Sequence, residues 1–359
     1  MLPLSRQERA RLQQNEATHR IGSLPVLVLM PHSSCNCACV MCDIWKSNRN
    51  KTEITVEQLK PHLDALRRLG VRNVALSGGE ALLHSNLWTW CRLLRDMNIR
   101  IQLLSTGLLL RRQAQQVVRH CQETIVSLDG RAPIHDAIRR IPRAFDRLSQ
   151  GVAALKSARK GHRVTARCVL QKGNYFDLPG ILEAARSLGL DQISFLPVDV
   201  TSQAFNRPAG WDDSQADSVA LSASEAEEFS RLLEEALDQH GADFQSGFVA
   251  ESPEKMRRIA DHFQARVEGR LPQAPRCNAP WVSTVIESDG TVRPCFFHPP
   301  LGNIHHDPLE SILNSHQAVR FRSQLKVDEH PICRRCVCSL YLETRGPLAR
   351  AARTLFNNS

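Results

Sequence analysis

At 359 residues the chain has room for one barrel-sized domain and a small appendage, and 42% hydrophobic with 23% charged residues is ordinary for a soluble globular protein. No apolar run approaches the roughly 18 to 20 residues needed to span a bilayer, and the N-terminus lacks the apolar core of a signal peptide, so a membrane span is excluded and the cytoplasm is the expected compartment. The net charge of +9 is spread over pairs such as Arg67-Arg68, Arg111-Arg112 and Arg334-Arg335 with no dense basic block or interleaved aromatics, which argues against a nucleic-acid partner.

Residues 1–22 are polar and rich in Arg and Gln, and read as an amphipathic helix covering the open underside of a barrel. Residues 23–200 then alternate short strand-like runs with helical patterns. The runs are Val26 to Met30, Asn73 to Ser77, Arg100 to Leu104, Thr124 to Leu128, Val164 to Leu170 and Gln192 to Val198. Thr55 to Gly70 shows how the helices read: Thr55 and Gln58 are spaced as a capping box, Leu59, Leu63 and Leu66 share a face, and Gly70 is a stop. Six such units predict an α/β fold, a partial (β/α)6 TIM-type barrel, with chemistry at the carboxyl ends of the strands. Residues 201–276 connect onward through a polar, irregular stretch from Thr201 to Asp217, a helix from Ser222 to Gln239, a strand around Phe244 to Val249 and a helix from Pro253 to Glu268. A Pro-punctuated linker leads into a small C-terminal region, residues 277–345, followed by a tail, 346–359.

Twelve cysteines in a reducing compartment read as metal ligands where they cluster and as small apolar core residues where isolated, as Cys91, Cys121 and Cys168 are. The first cluster is Cys35-x3-Cys39-x2-Cys42. Three thiolates on one short loop can hold three irons of a cubane cluster and leave the fourth open to bind and reduce a small molecule. Structural zinc would ask for a fourth Cys or His at a regular second spacing, and Cys37 is too crowded between Cys35 and Cys39 to serve. The second cluster is Cys277, Cys295, Cys333 and Cys336. Asp289-Gly290 between β-prone runs signals a hairpin that brings Cys277 and Cys295 together, and on spacing alone the four could enclose zinc or a cluster.

The first triplet directly after a strand, Ser77-Gly78-Gly79-Glu80 after the second run, Ser127-Leu128-Asp129-Gly130 after the fourth and Phe195-Leu196-Pro197 at the sixth resemble the radical S-adenosylmethionine (radical SAM) superfamily. In that family the residue before the last cysteine is commonly aromatic; here it is Met41, so the usual ring contact near the adenine is missing from that position. Cys277, Gly290, Cys295, Cys333 and Cys336 resemble the SPASM/twitch auxiliary-cluster domain, in its shorter form with one auxiliary cluster because Cys338 alone follows.

The resemblance implies a 4Fe–4S cluster on Cys35, Cys39 and Cys42, one auxiliary 4Fe–4S cluster and SAM as cofactors, with a flavodoxin- or ferredoxin-type electron donor as partner. It places Gly78 and Gly79 where backbone approaches the methionine amino group, Glu80 against that group's charge, Ser127 and Asp129 at the ribose, and Arg167 at the methionine carboxylate. His135, Asp136 and Arg139 match a run seen after the Asp-Gly turn in relatives, and read as structural or supporting. The implied activity is reductive cleavage of SAM to a 5′-deoxyadenosyl radical and hydrogen abstraction from a biosynthetic substrate. A small metabolite is favoured, because residues 1–22 are too short for the peptide-recognition domain such enzymes often carry. A ribosomal-peptide maturase is the alternative, and a non-catalytic iron–sulfur electron carrier is the reading from another class.

Overall fold

A computed structural model describes residues 4–344. Its frame is one nine-stranded sheet of order β6-β5-β4-β3-β2-β1-β7-β8-β9. The strands are β1 Val26–Leu29, β2 Asn73–Leu76, β3 Arg100–Ser105, β4 Glu123–Ser127, β5 Arg163–Leu170, β6 Gln192–Pro197, β7 Ser283–Ile286, β8 Thr291–Arg293 and β9 Gly302–Asn303. β1 to β6 run parallel in sequence order, each within one residue of the ends read from the sequence. Along β3, β4 and β6 buried and half-buried residues alternate. The buried face carries Ile101, Leu103, Val126, Ile193 and Phe195 under the helices, and the half-buried face lines the concave interior of the partial barrel. At the amino ends of the strands Glu123 accepts from Gln102 (2.6 Å), Thr165 (3.2 Å) and Arg163 (3.2 Å), which ties β3, β4 and β5 across the end opposite the chemistry.

Three local expectations change. The span Thr55 to Gly70 is interrupted: the Thr55–Gln58 capping box starts Val56–Leu59, a 3-10 turn spans Lys60–His62, and the helix resumes as Leu63–Arg68. Pro61 lacks the N–H that a continuous helix needs there. The strand expected around Phe244 to Val249 is instead a short helix, Gly241–Gln245, with only Val249 bridging to Ile193, because the Ser222-capped helix Ala223–Gln239 turns directly into it. The N-terminal helix Arg6–Thr18 buries only Leu12 and Asn15. It packs with Val26, Trp281, Val282, Leu325 and Leu342, and Asn15 donates to the carbonyls of Ser23 and Trp281, so it secures the entries to the paired strands β1 and β7.

The C-terminal region is continuous with the barrel's sheet. β7 pairs in parallel with β1, from Val26 opposite Ser283 to Leu29 opposite Ile286, and β8 and β9 follow antiparallel. The expected hairpin is present, with Gly290 at φ 84° closing the turn back onto Glu287. Among the described residues no helix is long and apolar enough to cross a membrane. The tail, 346–359, lies outside the described residues.

Candidate active site at the carboxyl ends of the strands

The chain leaves β1 into the cysteine loop, which is held on three sides. Cys35 exchanges two backbone hydrogen bonds with the Asn48 amide, both at 2.9 Å. The N–H groups of Ala38 and Val40 donate to the carbonyls of Arg139 (3.3 Å) and Ile138 (3.0 Å) at the end of the helix Ala132–Arg139. Arg207 Nη2 donates to the Met41 carbonyl. Cys35 and Cys42 are half-buried, and Cys37 and Cys39 are buried. The Cys37 thiol lies in hydrogen-bond contact with Cys35 and Cys39, which pushes its pKa up, while the same contact draws Cys39 down to about 6 against burial, helped by Arg139. Burial pushes Cys42 up to about 12.

Around this loop Ser34 Oγ, Asn36 Nδ2, Trp45 Nε1 and Arg207 Nε are buried polar atoms with no hydrogen-bond partner. Buried polar groups are nearly always paired. Three sulfurs on one loop, ringed by unspent donors, fit an anionic sulfur-rich group better than an apolar core.

Gly79 is required by this loop. A Cβ there would lie 2.0 Å from the Ser34 carbonyl oxygen and 3.3 Å from the Cys35 nitrogen. Gly78 has φ 96°, and its Cβ would lie 2.9 Å from that of Met30. Glu80 is wholly buried: its carboxylate accepts from Thr106 N (2.8 Å), Thr106 Oγ1 (2.7 Å), Ser105 Oγ (3.0 Å) and Leu82 N (3.2 Å). Burial pushes its pKa up, opposed by those donors. This carboxylate fastens the end of β3 to the Gly-Gly turn.

Asp129 is likewise wholly buried; it accepts from Arg139 Nε at 2.6 Å and lies 3.4 Å from the Val169 N–H. Ser127 and Arg167, in contrast, face the concave interior. They are register partners, and Arg167 is in turn the partner of Ser194, with Arg167 Nε 3.5 Å from Ser194 Oγ. A half-buried polar row thus crosses β4, β5 and β6.

Two arginines at the cysteine loop carry more of the site than the sequence disclosed. Arg139 bridges Asp129 and Cys39, with Nη1 3.5 Å from the sulfur. Arg207, 2% exposed, also donates to the Asp199 carbonyl at 2.8 Å and lies with its guanidinium carbon 3.6 Å from the Trp211 ring centre. Trp211 Nε1 donates to Asp43 at 2.8 Å. The stretch read as a loop near the site is therefore clamped onto the cysteine loop. Its Phe205, left-handed at φ 59°, reaches Phe296 and Phe297 beside Cys295, at 6.4 and 6.3 Å between ring centres.

The C-terminal pocket is lined by Cys277, Cys295, Cys333, Cys336 and Cys338 together with Phe297 and His298. Burial raises the thiols of Cys277, Cys295 (to about 11), Cys333 (to about 12) and Cys336. Thiols held protonated by burial become ligands when a cation replaces their protons, so the donor set fits a metal group. The structure thus gathers the four expected cysteines and adds Cys338. It also adds His298, whose Nε2 is 3.2 Å from Cys333 Sγ, and His330, which with them forms a group close enough to share one ion. Single histidines outside any spaced motif gave no signal in the sequence.

The family described as Radical SAM superfamily matches residues 29–193, and the iron-sulfur cluster-binding domain SPASM matches residues 277–337. The chain is 26% identical over 317 residues to the antilisterial bacteriocin subtilosin biosynthesis protein AlbA of Bacillus subtilis, covering 84% of this chain and 64% of that protein, so less than two thirds of that relative's length is spanned. It is 26% identical over 306 residues to the AdoMet-dependent heme synthase of Methanosarcina barkeri, covering 80% of this chain and 81% of that one. Among solved structures, anSMEcpe with bound AdoMet superposes with a TM-score of 0.62 at 18% identity, covering 92% of this chain and 96% of that one. Streptococcus suis SuiB bound to S-adenosylmethionine gives 0.61 at 13%, covering 93% and 76%.

Proposed function

We propose that this chain, which belongs to the radical SAM superfamily and carries a SPASM iron–sulfur domain, takes a hydrogen atom from a small biosynthetic substrate bound at the carboxyl mouth of its partial barrel. The observation that carries this reading is the meeting of three elements at one end of the concave sheet: the cysteine loop, the Gly79 cradle and the row Ser127, Arg167, Ser194. Reductive cleavage of SAM at a 4Fe–4S cluster supplies a 5′-deoxyadenosyl radical, which can attack an unactivated C–H bond.

Cys35, Cys39 and Cys42 would hold that cluster, and Cys277, Cys295, Cys333 and Cys336 the auxiliary one. The half-buried Arg167 guanidinium offers a charge-assisted contact to the methionine carboxylate and Ser127 a hydroxyl to the ribose. Gly78 and Gly79 keep the loop and the second strand close enough to exclude water between them. Glu80 and Asp129 act one step back, each holding an element that carries a contact. An acidic flavodoxin or ferredoxin would supply the electron.

The chain is an enzyme, in keeping with relatives named as a biosynthesis protein and a heme synthase, and a bare electron carrier is set aside. A small substrate is supported by the match to the heme synthase, which covers 80% of this chain and 81% of that protein. A peptide substrate is the second reading, favoured by AlbA, which matches 84% of this chain. The test is anaerobic reconstitution, reduction with dithionite and addition of SAM. Formation of 5′-deoxyadenosine is expected, and its absence with both clusters loaded would refute the reading. Deuterium carried into 5′-deoxyadenosine from a deuterated tetrapyrrole supports the small substrate, and deuterium from a deuterated peptide replaces it with the second reading.

A further inference from the structure

Arg139 is buried, with 6% of its surface exposed, and none of the expected cofactor contacts employs it. Its guanidinium is nevertheless held at both ends beside the cysteine loop. Nε is bonded to Asp129, a carboxylate with no exposed surface, at 2.6 Å, and Nη1 is turned toward Cys39 Sγ at 3.5 Å. The backbone reinforces the placement, since the carbonyls of Ile138 and Arg139 receive the N–H groups of Val40 and Ala38 on either side of Cys39. His135, buried on the same helix turn, accepts from the Asp129 N–H at 3.2 Å and fixes the strand end that carries the carboxylate.

Arg207, on the other side of the loop, spends its fork on the Met41 and Asp199 carbonyls and on Trp211, and makes no hydrogen bond to a cysteine sulfur. Of the two buried arginines at this loop, Arg139 is thus the one with a hydrogen bond to a ligand atom.

We infer that Arg139 is a positioning residue for the cluster on this loop: a charged N–H···S donor to Cys39, oriented by Asp129, that raises the potential at which the cluster takes up its electron. The inference rests on reading the loop as the site of that cluster. One-electron reduction adds a negative charge to the iron–sulfur unit and its thiolates, with the electron coming from the protein donor or from dithionite. A fixed positive donor on one of those sulfurs stabilises the reduced form more than the oxidised one. The carboxylate of Asp129 holds the fork in one orientation, so the hydrogen bond need not be assembled when the electron arrives.

The experiment uses the full chain with both clusters loaded. A redox titration is followed by electron paramagnetic resonance with and without SAM, because only the cluster with an open iron changes its signal when SAM is added. Arg139→Gln should lower the midpoint potential of the SAM-responsive signal, Arg139→Lys should recover part of the shift, and Arg143→Gln, at an exposed arginine paired with Asp146, should leave it unchanged. An unchanged potential in an Arg139→Gln protein of normal iron content would overturn the role.

A second measurement does not depend on the variants folding. In the unmodified protein grown with ¹⁵N-arginine, the reduced SAM-responsive cluster should show a nitrogen coupling by pulsed electron paramagnetic resonance, and absence of that coupling would equally overturn it. No SAM-responsive cluster at all in the unmodified protein would overturn both this role and the function it rests on.

Discussion

Replacing Gly79 by alanine is the most direct perturbation of the site, because it leaves every ligand and every charge in place. Gly79 is not in the left-handed region, so the added methyl brings no backbone strain, and its whole effect is steric. The new Cβ would sit 2.0 Å from the Ser34 carbonyl oxygen, about 1.4 Å short of the 3.4 Å at which ordinary contact begins. That oxygen belongs to the main chain immediately before Cys35, and it already accepts the Glu80 N–H at 2.9 Å. Relief therefore requires the strand-end turn and the cysteine loop to part.

Overpacking in a filled interior costs roughly 1 to 3 kcal/mol. Backbone on both sides, with little freedom to relax, puts the expected cost at the upper end. Thermal unfolding and iron analysis of the reconstituted protein measure it: a lowered melting temperature and loss of the SAM-responsive cluster are expected, with the auxiliary cluster retained. Gly241→Ala, where nothing lies within 4 Å of the added carbon, is the control. A Gly79→Ala protein with unchanged melting and unchanged iron would refute the claim that the cysteine loop is seated directly on the Gly-Gly turn.

Replacing Cys35, Cys39 and Cys42 together by Ala should abolish SAM cleavage and leave about half the iron, since the second group of thiols is separate; iron analysis near zero would show that the two groups depend on each other. Arg167→Ala should weaken SAM binding by roughly 10- to 150-fold, the worth of a charge-assisted hydrogen bond of about 1.5 to 3 kcal/mol, and unchanged affinity by anaerobic calorimetry would return the residue to a purely structural role. Cys336→Ala should strip the auxiliary cluster while Cys338→Ala spares it, and the opposite iron contents would reassign the fourth ligand. His162 is fully buried between Thr124 and Arg159, and burial lowers its pKa from 6.5 to about 4. Its unfolded form takes up a proton that the folded form refuses, so stability is full above pH 6.5 and falls between about 6.5 and 4, by on the order of 3 kcal/mol. Denaturant unfolding of His162→Gln should show a flatter decline over that window.

Much of the frame was legible because strand periodicity and cysteine spacing are local. The six parallel strands, the capping boxes at Thr55 and Ser222 and the hairpin at Gly290 all follow from residues near one another in the chain. Pro61 was a local signal too, outweighed by the leucine pattern running past it. The pairing of β7 with β1 was not legible, because it joins segments some 250 residues apart and its apolar run suits either a free hairpin or a sheet edge. Site residues divided along the same line. Arg139 and Arg207 act through partners distant in sequence, Cys39 and Met41; Arg139 stood in the run after the Asp-Gly turn with no partner legible, and Arg207 stood in no motif. Glu80 and Asp129 stood in the expected motifs, and their buried partners, Thr106 and Arg139, lie 26 and 10 residues away.

The register between β1 and β7 bears on how the two sulfur-lined sites work together. Met30, leading to the first site, donates its N–H to the Ile286 carbonyl at 2.8 Å, and Ile286 leads through the hairpin to Cys295. Both sites therefore hang from neighbouring strands of one continuous sheet, and their separation is set by a hydrogen-bond ladder instead of a flexible joint. A domain that docks by a hinge can open to admit a bulky substrate and close again at the expense of a weak interface, whereas here opening would break a parallel strand pair. The spacing between the two sulfur-lined sites is therefore as rigid as the strand pairing that carries them.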